Sequence, residues 1–129
     1  LSEEIINRGI GDSWKEVNSV LQQIMNDYAG VAARSETLLS AGIKYLGDLY
    51  GLSINQLKAG TSHELMRCME VIDLIQLGEL LMFSARERRE TRDLHKRVDF
   101  TFTNPLLDNM FQTIQKGEEG ALSSFRKKI

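Results

Sequence analysis

Apolar residues recur along this chain at helical spacing, and glycines mark the breaks. Ser2 to Arg8 predicts a short helix closed by Gly9. Asp12 or Ser13 then offers an N-cap, and Trp14, Val17, Leu21, Ile24 and Tyr28 follow at alternating steps of three and four residues. That spacing places one narrow apolar stripe on a helix interrupted at Gly30. A second helix is predicted from between Ala32 and Ser35 to Tyr50, with Leu39, Ile43, Leu46 and Tyr50 as its stripe. Gly51 suits the left-handed residue that closes a helix, and Leu52 the accompanying apolar contact. Ser53 to Gly60 is expected to be a connector with one turn around Ile54 to Lys58.

Thr61-Ser62-His63-Glu64 has the form of a capping box. The third helix it opens is predicted to run to about Arg92, roughly 45 Å. Its middle, from Leu65 to Phe83, is apolar on more than one side, which predicts burial against several neighbours. Two shorter amphipathic helices on one long helix predict a mainly α fold, an antiparallel three-helix bundle over residues 1–99. After Asp99 the helical period is lost. Phe100 to Thr103 alternates, Asn104-Pro105 signals a turn, and Met110 to Gln115 and Ala121 to Arg126 flank a loop with Gly117 and Gly120. Residues 100–129 are therefore expected to form an extended or β-hairpin tail, packed on the bundle or on a further domain.

Composition narrows the function classes. With 129 residues, 42% apolar and 26% charged, the chain suits one globular domain. A net charge of -2 argues against nucleic-acid binding, and no apolar run is long enough to insert in a membrane. One cysteine excludes an internal disulfide framework. No secretory signal is recognisable, and a start at Leu1 leads us to expect a piece of a longer protein.

Few residues are candidates for chemistry. Cys68, set among Leu65, Met69 and Ile72, reads as a small buried hydrophobe rather than a reactive thiol. His63, in a helix first turn, should be uncharged and exposed. Asp73 is the odd carboxylate of the apolar run; a polar seam with Gln76 or Glu79 is favoured over a general base. The Met and Leu content of the third helix fits core packing better than a ligand groove. The charged stretch Arg86 to Arg97 can be a solvated helix end, a nucleic-acid patch or an interface, and spacing alone favours the solvated face.

Glu90-Thr91-Arg92-Asp93-Leu94-His95-Lys96-Arg97-Val98-Asp99-Phe100 adds something periodicity does not. It resembles the Glu-Ser-Arg-Gly-x-His-x-Arg-x-Asp-(Tyr/Phe)-Pro signature of the succinate dehydrogenase/fumarate reductase flavoproteins, a group that includes L-aspartate oxidase and adenylylsulfate reductase. Glu90, Arg92, His95, Arg97 and Asp99 fall on the signature positions, preceded by Ala85 and Arg88 or Arg89, and Arg34 falls on an upstream family arginine. Thr91, Asp93 and Thr101 depart from it, where the family has Ser, Gly and Pro; loss of the glycine predicts an altered turn.

The resemblance implies the C-terminal helical domain of an FAD-dependent oxidoreductase. It implies that this chain itself holds no FAD and no catalytic, cofactor-binding or metal residue. Arg88, Glu90, Arg92, His95, Arg97 and Asp99 become interface residues toward the FAD-binding and capping domains, their partners lying outside this chain. A contact with an iron–sulfur subunit, and a cytoplasmic place at the membrane surface through partner subunits, also follow as expectations. The competing expectation is a free-standing helical protein–protein interaction module.

Overall fold

The computed structural model describes residues 1–128. A short helix α1 (Ser2–Asn7) precedes α2 (Trp14–Tyr28), α3 (Glu36–Gln56) and α4 (Ser62–Glu87). A 3₁₀ turn at Pro105–Leu107 leads into β1 (Met110–Gly117) and β2 (Gly120–Lys127), an antiparallel hairpin pairing Met110 with Lys127 and Gly117 with Gly120. This is the predicted mainly α bundle with a hairpin tail.

Local chemistry explains the helix starts. Ser13 Oγ accepts from Lys15 N at 3.2 Å, and Ser35 Oγ accepts from Leu38 N at 3.1 Å. Thr61 Oγ1 accepts from Glu64 N at 3.2 Å, while the Glu64 carboxylate reaches one residue beyond the usual box, to Gly60 N at 2.8 Å.

Two helix ends differ from expectation. α3 does not stop at Tyr50; it passes through Gly51 to Gln56. Its true end is closed from a distance: Arg8 donates to Leu57 O and Ile54 O, both at 2.7 Å. A guanidinium on terminal carbonyls satisfies the groups a helix leaves open and suits its dipole. α4 stops at Glu87 rather than near Arg92, about 39 Å long.

The core joins Ile5 of α1 to Leu21, Leu39, Leu46, Ile72, Ile75 and Met82, with Ile24, Ile43 and Met69 packed against it. α3 approaches α4 closely at Gly42, where an added Cβ would lie 2.6 Å from Met82 Sδ and 2.7 Å from Tyr28 Cβ. Cys68 is fully buried, and burial pushes its thiol pKa up, as its apolar setting implies.

α4 is not buried all round. Met66, Leu74, Leu77, Leu80 and Leu81 are 44–60% exposed, because the neighbouring helices cover only part of its circumference. Asp73 and Gln76 are exposed, so the expected polar seam does not form. The hairpin rests on the end of α4: Gln112 Nε2 donates to Ser84 O at 3.0 Å, and the Arg88 guanidinium lies 5.2 Å over the Phe125 ring.

Candidate functional site

The segment from Arg88 to Asn104 has no helix or strand of its own, yet it holds the most buried charges among the described residues. Glu90 and Arg97 are 0% and 1% exposed. Because α4 ends at Glu87, helical spacing does not apply here, and the solvated-face expectation fails. Burying a charge is costly unless it is paired and hydrogen-bonded, and both buried charges are paired and bonded within the chain.

Arg97 grips Asp99 in a fork, Nε to Oδ1 at 2.7 Å and Nη2 to Oδ2 at 2.8 Å. Its remaining nitrogen, Nη1, donates to the carbonyls of Ala85 at 3.1 Å, Arg86 at 2.9 Å and Arg88 at 3.3 Å, the open end of α4. Asp99 Oδ2 also accepts from Glu36 N at 2.9 Å, at the start of α3. A cation thus sits at a helix C-terminus and an anion at a helix N-terminus, as the two dipoles favour. Phe100 stacks beneath Arg97, 5.0 Å from ring centre to guanidinium. These bonds, Arg97 above all, hold the Asp99 carboxyl far below the usual carboxylate range.

Glu90 forms a second cage. Its carboxylate accepts from Arg88, from Arg92 Nε and Nη2 at 3.2 Å each, and from Asn104 N at 2.8 Å. Burial alone would raise its pKa; the bonds from Arg92, Asn104 and Arg88 outweigh that and lower it. Arg92 reaches further, to Asn104 O at 3.0 Å and Asp108 at 2.8 Å.

His95 links a third helix end. Its Nε2 lies 2.9 Å from Arg88 O and its Nδ1 3.0 Å from Arg34 Nη1. A carbonyl only accepts and a guanidinium only donates, so this pairing requires the proton on Nε2. Arg34 meanwhile donates to Ala29 O at 3.1 Å and Gly30 O at 3.4 Å, closing α2. Burial lowers the His95 pKa most; the bond to Arg88 O opposes this, and the charges of Arg34, Arg97 and Arg88 add to it.

Backbone bonds seal the loop. Arg34 N donates to Lys96 O and Val98 N to Arg34 O, both at 2.8 Å. The Thr91 hydroxyl accepts from Arg97 N at 2.9 Å and donates to Phe100 O at 2.8 Å, so the Ser-to-Thr departure keeps its chemistry. Asp93 takes a positive φ of 51° in a tight turn where Arg92 and His95 exchange two backbone bonds at 2.9 Å. The turn survives loss of the family glycine because Asp tolerates the left-handed region better than most residues.

The six expected interface residues are thus brought together, but the partners expected from another domain are supplied within the chain. Sequence reasoning missed Thr91 and Asn104 as parts of this network, and Arg8 as the group that closes α3 at its opposite end; only a side chain's distant target reveals such roles. His63 is exposed, as expected, at the far end of α4. Among the described residues no group of three or more His, Cys, Asp or Glu is placed to hold a metal, and no helix is long and apolar enough to cross a membrane.

A family model described as "Fumarate reductase flavoprotein C-term" matches residues 18–116. Among solved structures, the fold matches a FrdA mutant of E. coli quinol fumarate reductase with a TM-score of 0.78 at 18% identity, over 98% of this chain and 23% of that one. It matches adenylylsulfate reductase from Archaeoglobus fulgidus with a TM-score of 0.78 at 24% identity, over 93% and 20%. The Mycobacterium smegmatis Sdh1 complex gives 0.76 at 19% identity, over 98% and 22%. No curated protein matches by sequence. The chain spans about a fifth of the length of the structures it resembles.

Proposed function

Because this chain belongs to the fumarate reductase flavoprotein C-terminal family, we propose that it braces the flavin and capping domains of an FAD-dependent oxidoreductase of the succinate dehydrogenase/fumarate reductase type. The parent enzyme would move a hydride between flavin and a dicarboxylate, with electrons passing through an iron–sulfur subunit that this domain adjoins. The family match gives no support to a free-standing interaction module.

One observation supports the bracing role. The buried network ties the ends of α2, α3 and α4 into a rigid loop, and that loop turns Leu94, Val98 and Phe102 outward, 72%, 61% and 56% exposed. Apolar side chains held out on a stiff frame suit docking, since little order is lost on contact. Arg88, Arg92 and Asp99, with 18%, 29% and 31% of their side chains exposed, would form the polar rim. In this role Glu90 and Arg97 act from inside, by shaping the loop.

On this reading the flavin is held by domains outside this chain. Its two strands form a hairpin with no following helix among the described residues, and no Gly-x-Gly-x-x-Gly cradle occurs. No step through the flavin is assigned to this chain's residues.

In the flavoprotein carrying this domain, Leu94→Glu and Phe102→Glu should speed proteolysis at the domain junction and lower dicarboxylate turnover. The exposed substitution Ser19→Glu should do neither. Unchanged proteolysis in both loop variants would sink the bracing role. The 129-residue chain alone should purify colourless; a flavin band at near-unit stoichiometry would overturn this reading.

A further inference from the structure

Between α2 and α3 lies an open groove of about 390 Å³. Its apolar lining comes from both helices, Val20 and Ile24 from one and Leu49 and Leu52 from the other. Tyr28 and Tyr45 also line it, their ring centres 5.2 Å apart and tilted by 41°. Val20, Tyr45 and Leu52 are 41–46% exposed, so apolar surface stays open to water here. The charged residues lining the groove are Asp27 and Asp48, one from each helix. Neither has an ion-pair partner within 4.0 Å among the described residues.

These features select a ligand chemistry. Two unpaired carboxylates repel anions and attract cations. Tyrosine faces attract a cation held against them. Aliphatic walls on both sides favour removal of a methylene stem from water. The combination fits an ammonium or guanidinium on an alkyl chain, which is the side chain of lysine or arginine. A groove running between two helices also offers places for the apolar neighbours that an amphipathic segment carries at helical spacing.

We propose that the groove between α2 and α3 docks a basic amphipathic segment of a partner polypeptide, with a lysine or arginine held at Asp27 and Asp48 against the tyrosine rings. This assignment stands independently of the bracing role.

The test is an NMR titration of the 129-residue chain with three probes: n-butylammonium, n-butanol, and a short amidated peptide of leucine and lysine at helical spacing. Butylammonium should shift signals of Val20, Ile24, Tyr28, Tyr45 and Leu52, and butanol should bind several-fold more weakly. The peptide should bind more tightly than butylammonium because it also covers the apolar walls. The double variant Asp27→Asn/Asp48→Asn, exposed and expected to keep the fold, should weaken butylammonium binding about three- to tenfold. Tyr45→Leu should weaken it independently of those charges. Equal binding of butanol, or undiminished binding in both variants, would overturn the proposal. A peptide that binds no more tightly than butylammonium would make the groove a small-cation site and overturn the polypeptide assignment.

Discussion

Arg97 and Asp99 form one forked ion pair that closes two helices at once. The guanidinium covers the last carbonyls of α4, and the carboxylate receives the first amide of α3. A pair that joins helix ends contributes more than its own Coulomb energy, because losing it reopens both termini.

Arg97→Ala should therefore destabilise the chain by about 3–5 kcal/mol, the cost of stranding one member of a buried pair. Arg97→Lys should rescue only part of this, since an ammonium cannot supply the fork and the carbonyl bonds together. Arg92→Ala, which a surface position would make harmless, should destabilise measurably but by less than Arg97→Ala, because Arg92 donates to Glu90, Asp108 and Asn104. Urea unfolding followed by circular dichroism checks all three. An Arg97→Ala loss below that of Arg92→Ala would refute the ranking.

Acid should weaken the fold in two stages. The folded pKa of His95 is lowered, so the unfolded chain binds the extra proton first, and stability falls as pH drops below about 6.5. The folded pKa values of Glu90 and Asp99 are also lowered. Their contribution is present above the ordinary carboxylate range and is lost as pH falls below about 4. Unfolding free energies at pH 7.0, 5.5 and 3.5 test this; His95→Gln should flatten the first interval and leave the second steep.

Asp93 sits at φ 51°. Asp93→Gly should be neutral or stabilising. Asp93→Val should cost about 1–3 kcal/mol, because a β-branched side chain is strained in the left-handed region. Thermal melts of the two variants should move in different directions or by clearly different amounts.

Two glycines of α3 should respond oppositely to alanine. At Gly47 an added Cβ meets nothing within 4 Å, so Gly47→Ala should stabilise by about 0.5–1 kcal/mol through helix propensity. At Gly42 the Cβ would collide with Met82 and with Tyr28 Cβ, and overpacking should cost about 1–3 kcal/mol. Matched melting temperatures for the two variants would mean that α3 and α4 do not approach as described.

Much of the architecture is local, and the sequence alone determined it. The stripe from Trp14 to Tyr28, the hydroxyl caps at Ser13 and Thr61, and the glycines at the hairpin turn act between residues one or two turns apart, where periodicity is informative. The resemblance carried by Glu90 to Phe100 likewise lies in one continuous segment. Only the tertiary structure decided where α3 and α4 stop, which face of α4 stays uncovered, and that Glu90 and Arg97 are buried. The carbonyls at a helix end accept whichever donor the fold brings to them. For α3 that donor is Arg8, 46 and 49 residues away in sequence from its targets; for α4 it is Arg97, arriving after the chain has turned back. An alternating run of charges looks the same whether water or a cage of guanidiniums surrounds it, and the folded loop is what supplies the cage.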